Sequence, residues 1–214
     1  MVNWHQIDTV LFDMDGTLLD LHFDNHFWLE TVPWHFAQKN KISLTSAKEY
    51  IQNKTKTKIG QLEWYCIDYW SKILDLNILA IKETVKQKVK LRPYTLELLN
   101  FLQDKRLIMV TNAHPDTLEF KMCQIDLGQY FDNMISSHTL GLAKEQIGFW
   151  DKFQQLQPLD ISKSLFIDDS ISVLTAAKNY GFEHLLIINQ PDMQAEILNH
   201  TSFKAVDCFS QLMT

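Results

Sequence analysis

Asp13-Met14-Asp15-Gly16-Thr17 follows directly on the apolar run Thr9-Val10-Leu11-Phe12, and this junction constrains the chain more than any other segment. A short apolar run with polar residues only at its ends fits a central parallel strand covered on both faces. Ligands gather at the carboxyl ends of such strands, where Asp13 would sit. Alternation along extended backbone points Asp13 and Asp15 the same way, and Gly16 allows a sharp turn beyond them. Two carboxylates sharing one site repel unless a divalent cation lies between them or one holds a proton. The bland alternative is an acidic surface turn, since Asp and Gly are both common in turns.

The rest of the chain supplies a pattern that contains such a strand. Leu107 to Thr111 reads as a strand followed by a helix opening at Pro115, and Asn133 to Ser136 reads as a strand followed by a helix over Phe149 to Leu156. Leu165-Phe166-Ile167-Asp168 leads into a helix with Ser170 as N-cap and Gly181 as C-cap, and His184 to Ile188 forms a further strand. Strand and helix in regular order imply right-handed crossovers and a parallel sheet, so the expected class is a doubly wound α/β fold. Between residues 21 and 91 the strand signal vanishes and helices rich in Lys, Trp and Tyr take over, with a capping-box-like Ser46-x-x-Glu49 near the start of one. The expected organisation is a core of residues 1–20 and 92–214 and an inserted helical cap of residues 21–91, with both hinges beside the Asp13 loop.

Composition narrows the partners. A chain of 214 residues with 46% hydrophobic content buries a sizeable core. Its formal charge of −6, with Arg92 and Arg106 the only arginines, argues against binding a nucleic acid polymer. Cys66, Cys123 and Cys208 are widely spaced, odd in number and contain no CxxC pair, so neither a disulfide framework nor a structural zinc site is expected. The first residues lack a charged-then-apolar signal pattern, and no apolar stretch is long enough to span a bilayer, so a cytoplasmic protein with no membrane partner is expected.

Three later strand ends carry residues suited to a phosphoryl group. Thr111-Asn112 offers a hydroxyl and loop N–H donors, Lys144 offers a cation, and Asp168-Asp169 completes an oxygen-rich site for Mg²⁺. Singly, each has a bland reading: a turn, a solvated lysine, a helix N-cap. Their value lies in convergence, because a parallel sheet brings all these strand ends beside Asp13.

Asp13-Met14-Asp15-Gly16-Thr17, Thr111-Asn112, Lys144 and Asp168-Asp169 resemble, in order and spacing, the four motifs of the haloacid dehalogenase superfamily. Arg92-Pro93 before a helix is similar to that family's re-entry from its cap. The resemblance is closest to the GMP/IMP nucleotidase branch, through Leu21 to Trp28, Trp64 to Trp70, Thr111 to Pro115 and Ser137 to Gly141. One departure stands out: members often have proline after the motif lysine, whereas Glu145 follows Lys144.

The resemblance implies that Asp13 is a nucleophile forming an aspartyl-phosphate and that Asp15 is the general acid and base. It implies Mg²⁺ held by Asp13, the Asp15 carbonyl and Asp169, with Asp168 behind them. It also implies that Thr111 and the N–H groups around Met14 and Asn112 hold the phosphate, and that Lys144 offsets its charge. The implied substrate is a small phosphate ester, a purine nucleoside monophosphate such as GMP or IMP. Trp64, Tyr65, Tyr69 and Trp70 present ring faces for a purine, against the reading that aromatics three and four apart pack helices. Asp24 and Asn25 either contact ribose or base or form a solvated hinge, and His114 either touches substrate or caps a helix. A phosphatase or phosphomutase for sugar phosphates would use the same motifs, and an inactive nucleotide-binding protein would have lost a carboxylate that this chain retains.

Overall fold

In the computed structural model, which describes residues 2–213, six parallel strands lie in the order β3-β2-β1-β4-β5-β6. They are β1 (Thr9–Phe12), β2 (Arg106–Thr111), β3 (Asn133–Ser136), β4 (Ser164–Asp168), β5 (His184–Ile188) and β6 (Lys204–Val206). Alternate residues of the central strands serve opposite layers. Val10, Phe12, Leu107, Met109, Leu165 and Ile167 pack with Leu98, Leu99 and Phe120 on one face. Leu11, Ile108, Val110 and Phe166 pack on the other with Phe149, Trp150, Phe153, Val173 and Leu174. Period-two alternation with apolar residues on both faces is what a sheet covered twice by helices demands.

Register fixes the site. Phe12 lies opposite Met109 on β2 and Ile167 on β4, and the Asp13 N–H donates to the Ile167 carbonyl at 2.9 Å. Asp13 therefore emerges level with Val110 and Asp168, one residue before Thr111 and Asp169.

The connection from β1 to β2 contains the helices Val32–Asn40, Leu44–Lys56, Ile67–Leu74 and Ile78–Glu83, which close around their own cluster of Phe27, Phe36, Ile51, Trp70, Leu74 and Ile78. The two ends of this insertion meet. Leu19 bridges Leu91 in antiparallel fashion, the Asp20 N–H donates to the Lys90 carbonyl at 2.9 Å, and the Arg92 N–H donates to the Leu18 carbonyl at 3.0 Å. Helix Leu44–Lys56 starts three residues before the expected box: Ser43 is the N-cap and its hydroxyl accepts the Ser46 N–H at 3.1 Å. Ser46 thus occupies the third helical position, the one whose N–H an N-cap side chain accepts. At the start of Ile171–Tyr180, Ser170 occupies the cap position without a side-chain cap bond, and Asp168 Oδ1 instead accepts the Ser170 N–H at 2.8 Å. A π-helical turn, Phe27–Thr31, precedes Pro33, which has no N–H to return to the preceding turn.

Candidate active site

The strand ends and the inserted helices enclose a cavity of about 750 Å³. Its floor is formed by Asp13, Asp15, Thr111, Asn112, Lys144, Asp168 and Asp169, and its walls include Asp24, Asn25, Trp28, Trp64, Tyr65 and Trp70. Gly16 allows the loop to turn here. Its φ is +84°, and a Cβ at this position would lie 2.5 Å from Asp169 Oδ2, so only glycine lets β1's loop pass against Asp169.

Lys144, 1% exposed, is held entirely by the sheet domain. Its ammonium donates to Asp13 Oδ1, to Asp168 Oδ2 at 2.7 Å and to the Val110 carbonyl at 3.1 Å. Burial alone would push this ammonium down, but Asp13 and Asp168 outweigh it and hold it above the ordinary lysine value. Burial raises the Asp13 carboxyl to about 7 against the opposing pull of Lys144. Burial and the neighbouring Asp168 and Asp13 push Asp169 well up. Asp169 forms no salt bridge among the described residues. A crowded set of carboxyl oxygens, one of them without a cationic partner, suits a hard divalent cation such as Mg²⁺.

A second buried ammonium, Lys121, organises the other carboxylate. It donates to Asp15 Oδ1 and to Asp24 Oδ2, each at 2.5 Å, and Lys82 reaches Asp24 Oδ1 at 3.4 Å. Burial raises Asp15 to about 6, with Lys121 opposing the rise. For Asp24 the two lysines outweigh burial and hold the carboxyl below its ordinary value. Asp24 is therefore neither a solvated hinge residue nor free to reach a ligand unaccompanied; it is a cavity-wall carboxylate locked to two lysines. Lys121 and Lys82 are the functional-site residues that sequence reasoning missed. Their signal was a lysine on a buried stripe at helical spacing, Lys121 beside Thr117 and Phe120 and Lys82 beside Ile78 and Ile81.

Glu145, which replaces the usual proline, also has a defined place. Its Oε1 accepts the Tyr65 hydroxyl at 2.9 Å and its Oε2 accepts Asn112 Nδ2 at 2.9 Å, while Asn112 Oδ1 accepts the Lys144 N–H at 2.8 Å. The substitution leaves the lysine seated and ties an inserted helix to the Thr111-Asn112 loop. Thr111 accepts the Ala113 N–H at 3.0 Å, leaving its own hydroxyl proton directed elsewhere.

The aromatic cluster divides. Trp64 and Tyr65 line the cavity. Trp70 reaches it only from within the hydrophobic cluster of the inserted helices, 1% exposed, with Nε1 donating to the Trp64 carbonyl at 2.9 Å. Tyr69 does not line the cavity; it packs edge-on against Trp70 and beneath Lys58, because its place on the helix faces the flank of the bundle. His114 is also absent from the lining and is the N-cap of helix Pro115–Gln124, accepting the Asp116 N–H at 3.3 Å. The Met14 side chain is fully buried in the core, so only its backbone faces the loop.

A sequence model of the haloacid dehalogenase-like hydrolases matches residues 7–181. The chain belongs to that family. Within it, the chain is 39% identical over 193 residues to the GMP/IMP nucleotidase YrfG of Escherichia coli (strain K12), covering 89% of this chain and 87% of that protein. Among solved structures, the fold matches a HAD phosphatase from Thermococcus onnurineus with a TM-score of 0.80 at 22% identity over 96% of each chain. It also matches the magnesium-bound HAD hydrolase YfnB of Bacillus subtilis with a TM-score of 0.65 at 18% identity, again over 96% of each chain. HAD-like hydrolases typically use Mg²⁺. No helix among the described residues is long and apolar enough to cross a membrane.

Proposed function

We propose that the protein is a Mg²⁺-dependent phosphomonoester hydrolase acting through an aspartyl-phosphate on Asp13, with purine 5′-monophosphates such as GMP and IMP as substrates. The observation that carries this reading is the convergence of Asp13, Asp15, Thr111, Lys144 and Asp169 on the floor of one cavity. The relationship to a GMP/IMP nucleotidase supports the purine nucleotide.

Asp13, at the strand end, presents one oxygen to Lys144, so its other oxygen is the one directed to phosphorus for in-line attack. The Asp13, Asp15 and Asp169 loops would hold Mg²⁺, which when bound supplies charge neutralisation for the carboxylates and the phosphoryl oxygens. Thr111 and the N–H groups of the Met14 and Asn112 loops donate to the remaining phosphoryl oxygens, and Lys144 keeps net charge on the floor low. Asp15, raised to about 6 by burial, holds a proton for the departing nucleoside oxygen and then takes one from the water that cleaves the aspartyl-phosphate. Residues 21–91 act as a cap that excludes bulk water, with Trp64 and Tyr65 as the wall on which a purine ring lies.

Phosphate release from a panel of purine and pyrimidine 5′-monophosphates and sugar phosphates, with Mg²⁺ or EDTA, tests the reading, with Asp13→Asn as the contamination control. EDTA-sensitive preference for GMP and IMP is expected. Activity confined to sugar phosphates would retain the chemistry and overturn the substrate, and EDTA-insensitive release or none would overturn the reaction.

A further inference from the structure

Cys66, His114 and His138 come from three distant parts of the sequence, and one ligand atom from each lies within 4.8 Å of the other two. None of the three lines the catalytic cavity. Cys66 belongs to the inserted helices, between Leu62–Tyr65 and Ile67–Leu74. His114 follows the Thr111-Asn112 loop, and His138 lies in the turn after β3. The group therefore straddles the contact between insertion and sheet domain.

Each side chain is held in place before any ligand arrives. Cys66 Sγ accepts the Tyr69 N–H at 3.4 Å, which fixes the sulfur at a helix start. The two imidazoles meet edge to face with ring centroids 4.9 Å apart. His138 Nε2 is enclosed and has no hydrogen-bond partner, an arrangement that leaves a polar atom unsatisfied unless something binds it. His114 Nε2 lies 3.6 Å from Asp68 Oδ2, a carboxylate of the same inserted helices. Its Nδ1 accepts the Asp116 N–H at 3.3 Å in the metal-free protein, and a metal on Nε2 exchanges that bond for an Nδ1–H beside Asp116 Oδ2, 3.8 Å away.

We propose that Cys66, His114 and His138 form a second metal site, distinct from the carboxylate site, which takes Zn²⁺ and fastens the inserted helices to the sheet domain. One thiolate and two imidazoles match a tetrahedral borderline ion, with Asp68 or water as the fourth ligand. Mg²⁺, which demands oxygen ligands in an octahedron, does not compete there. Binding draws the three ligands together by roughly an ångström and releases the Cys66 proton to solvent. The geometry puts Cys66 next to Tyr65, whose hydroxyl is bound to Glu145, so a metal here reinforces the same closed contact.

The test is a Co²⁺ titration of the full-length, chelator-stripped protein held in saturating Mg²⁺, followed by absorbance. The expected result is a thiolate-to-Co²⁺ charge-transfer band saturating at one Co²⁺ per chain, bleached by one equivalent of Zn²⁺, retained in Cys123→Ser and lost in Cys66→Ser. Should Cys66→Ser fold poorly by circular dichroism, His138→Ala serves instead, with Zn²⁺ affinity measured by competition against a chromophoric chelator and expected to fall at least about tenfold. Absence of the thiolate band in the wild type, its survival in Cys66→Ser, or unchanged Zn²⁺ affinity in a folded His138→Ala would each overturn the site.

Discussion

Lys144 and Lys121 are both buried ammonium groups with two carboxylate partners, yet they tie together different parts of the molecule. Lys144 binds Asp13, Asp168 and the Val110 carbonyl, all on adjacent strand ends of one sheet. Lys121 binds Asp15 on the loop after β1 and Asp24 on the short helix His22–His26 that opens the insertion, and Asp24 in turn meets Lys82 of helix Ile78–Glu83. The first arrangement is as rigid as the sheet. The second depends on where the insertion sits. Under the proposed chemistry, the nucleophile is pre-set by the core alone, whereas the acid and base is coupled to the position of the cap.

The largest expected effect removes the nucleophile. Asp13→Asn should lower kcat at least about 10⁴-fold, while Asp168 keeps Lys144 paired and the fold intact. Steady-state phosphate release and circular dichroism check both halves of that statement. Lys144→Met should cost about 3–5 kcal/mol of stability, because Asp13 and Asp168 are then buried without their cation. Denaturant unfolding measures this, and a loss below about 1 kcal/mol would break the claim that Lys144 is a core element.

Lys121→Met tests the other half of the comparison. Lys121 opposes the rise of the Asp15 carboxyl, so its removal should move the limb of the pH profile near 6 to higher pH and reduce kcat about 10²-fold. Asp24 raises the Asp15 carboxyl, so Asp24→Asn should shift the same limb to lower pH, and the double variant should be no worse than Lys121→Met, since both act on one network. Additive effects would separate Asp24 from Asp15.

A smaller effect concerns pH and metal. Burial raises Asp13 from 3.8 to about 7 and Asp15 from 3.8 to about 6. A carboxyl raised on folding stabilises fully below its unfolded value, and that contribution is lost as pH rises through the folded value. The metal-free protein should therefore lose stability between about pH 4 and 7, and Mg²⁺ should raise the melting temperature more at about pH 8 than at about pH 5. Equal Mg²⁺ shifts at both pH values would contradict the carboxylate site. The smallest effect separates two aromatics: Trp64→Leu should raise KM for GMP by an amount corresponding to about 1–3 kcal/mol, and Tyr69→Leu, outside the cavity, should leave it within twofold.

The same contrast explains what was legible in the sequence. Parallel strands announce themselves by apolar runs, and their ends converge by topology, so Asp13, Thr111, Lys144 and Asp168-Asp169 were placed together without coordinates. The insertion offers no such rule. Lys121 and Lys82 read as ordinary helix lysines until the buried neighbours at three- and four-residue spacing are noticed. Glu145 looked like a departure, and its bonds to Tyr65 and Asn112 depend on a contact that no local pattern encodes. Tyr69 and Trp64 lie five positions apart, on two short helices broken at Cys66, and of the two readings open for these aromatics Tyr69 follows the packing one while Trp64 lines the cavity. Strand β6, three residues long, is too short to show periodicity.

The central claim is a phosphoryl group carried on Asp13. The most direct test is rapid acid quench of the wild type and Asp15→Asn after mixing with radiolabelled GMP and Mg²⁺, followed by peptide mapping. We predict acid-stable, hydroxylamine-labile label on the peptide bearing Asp13 of the wild type, formed much more slowly in Asp15→Asn because the departing nucleoside oxygen then lacks its acid. Full phosphate release with no labelled protein at any time, together with retained activity in Asp13→Asn, would contradict it.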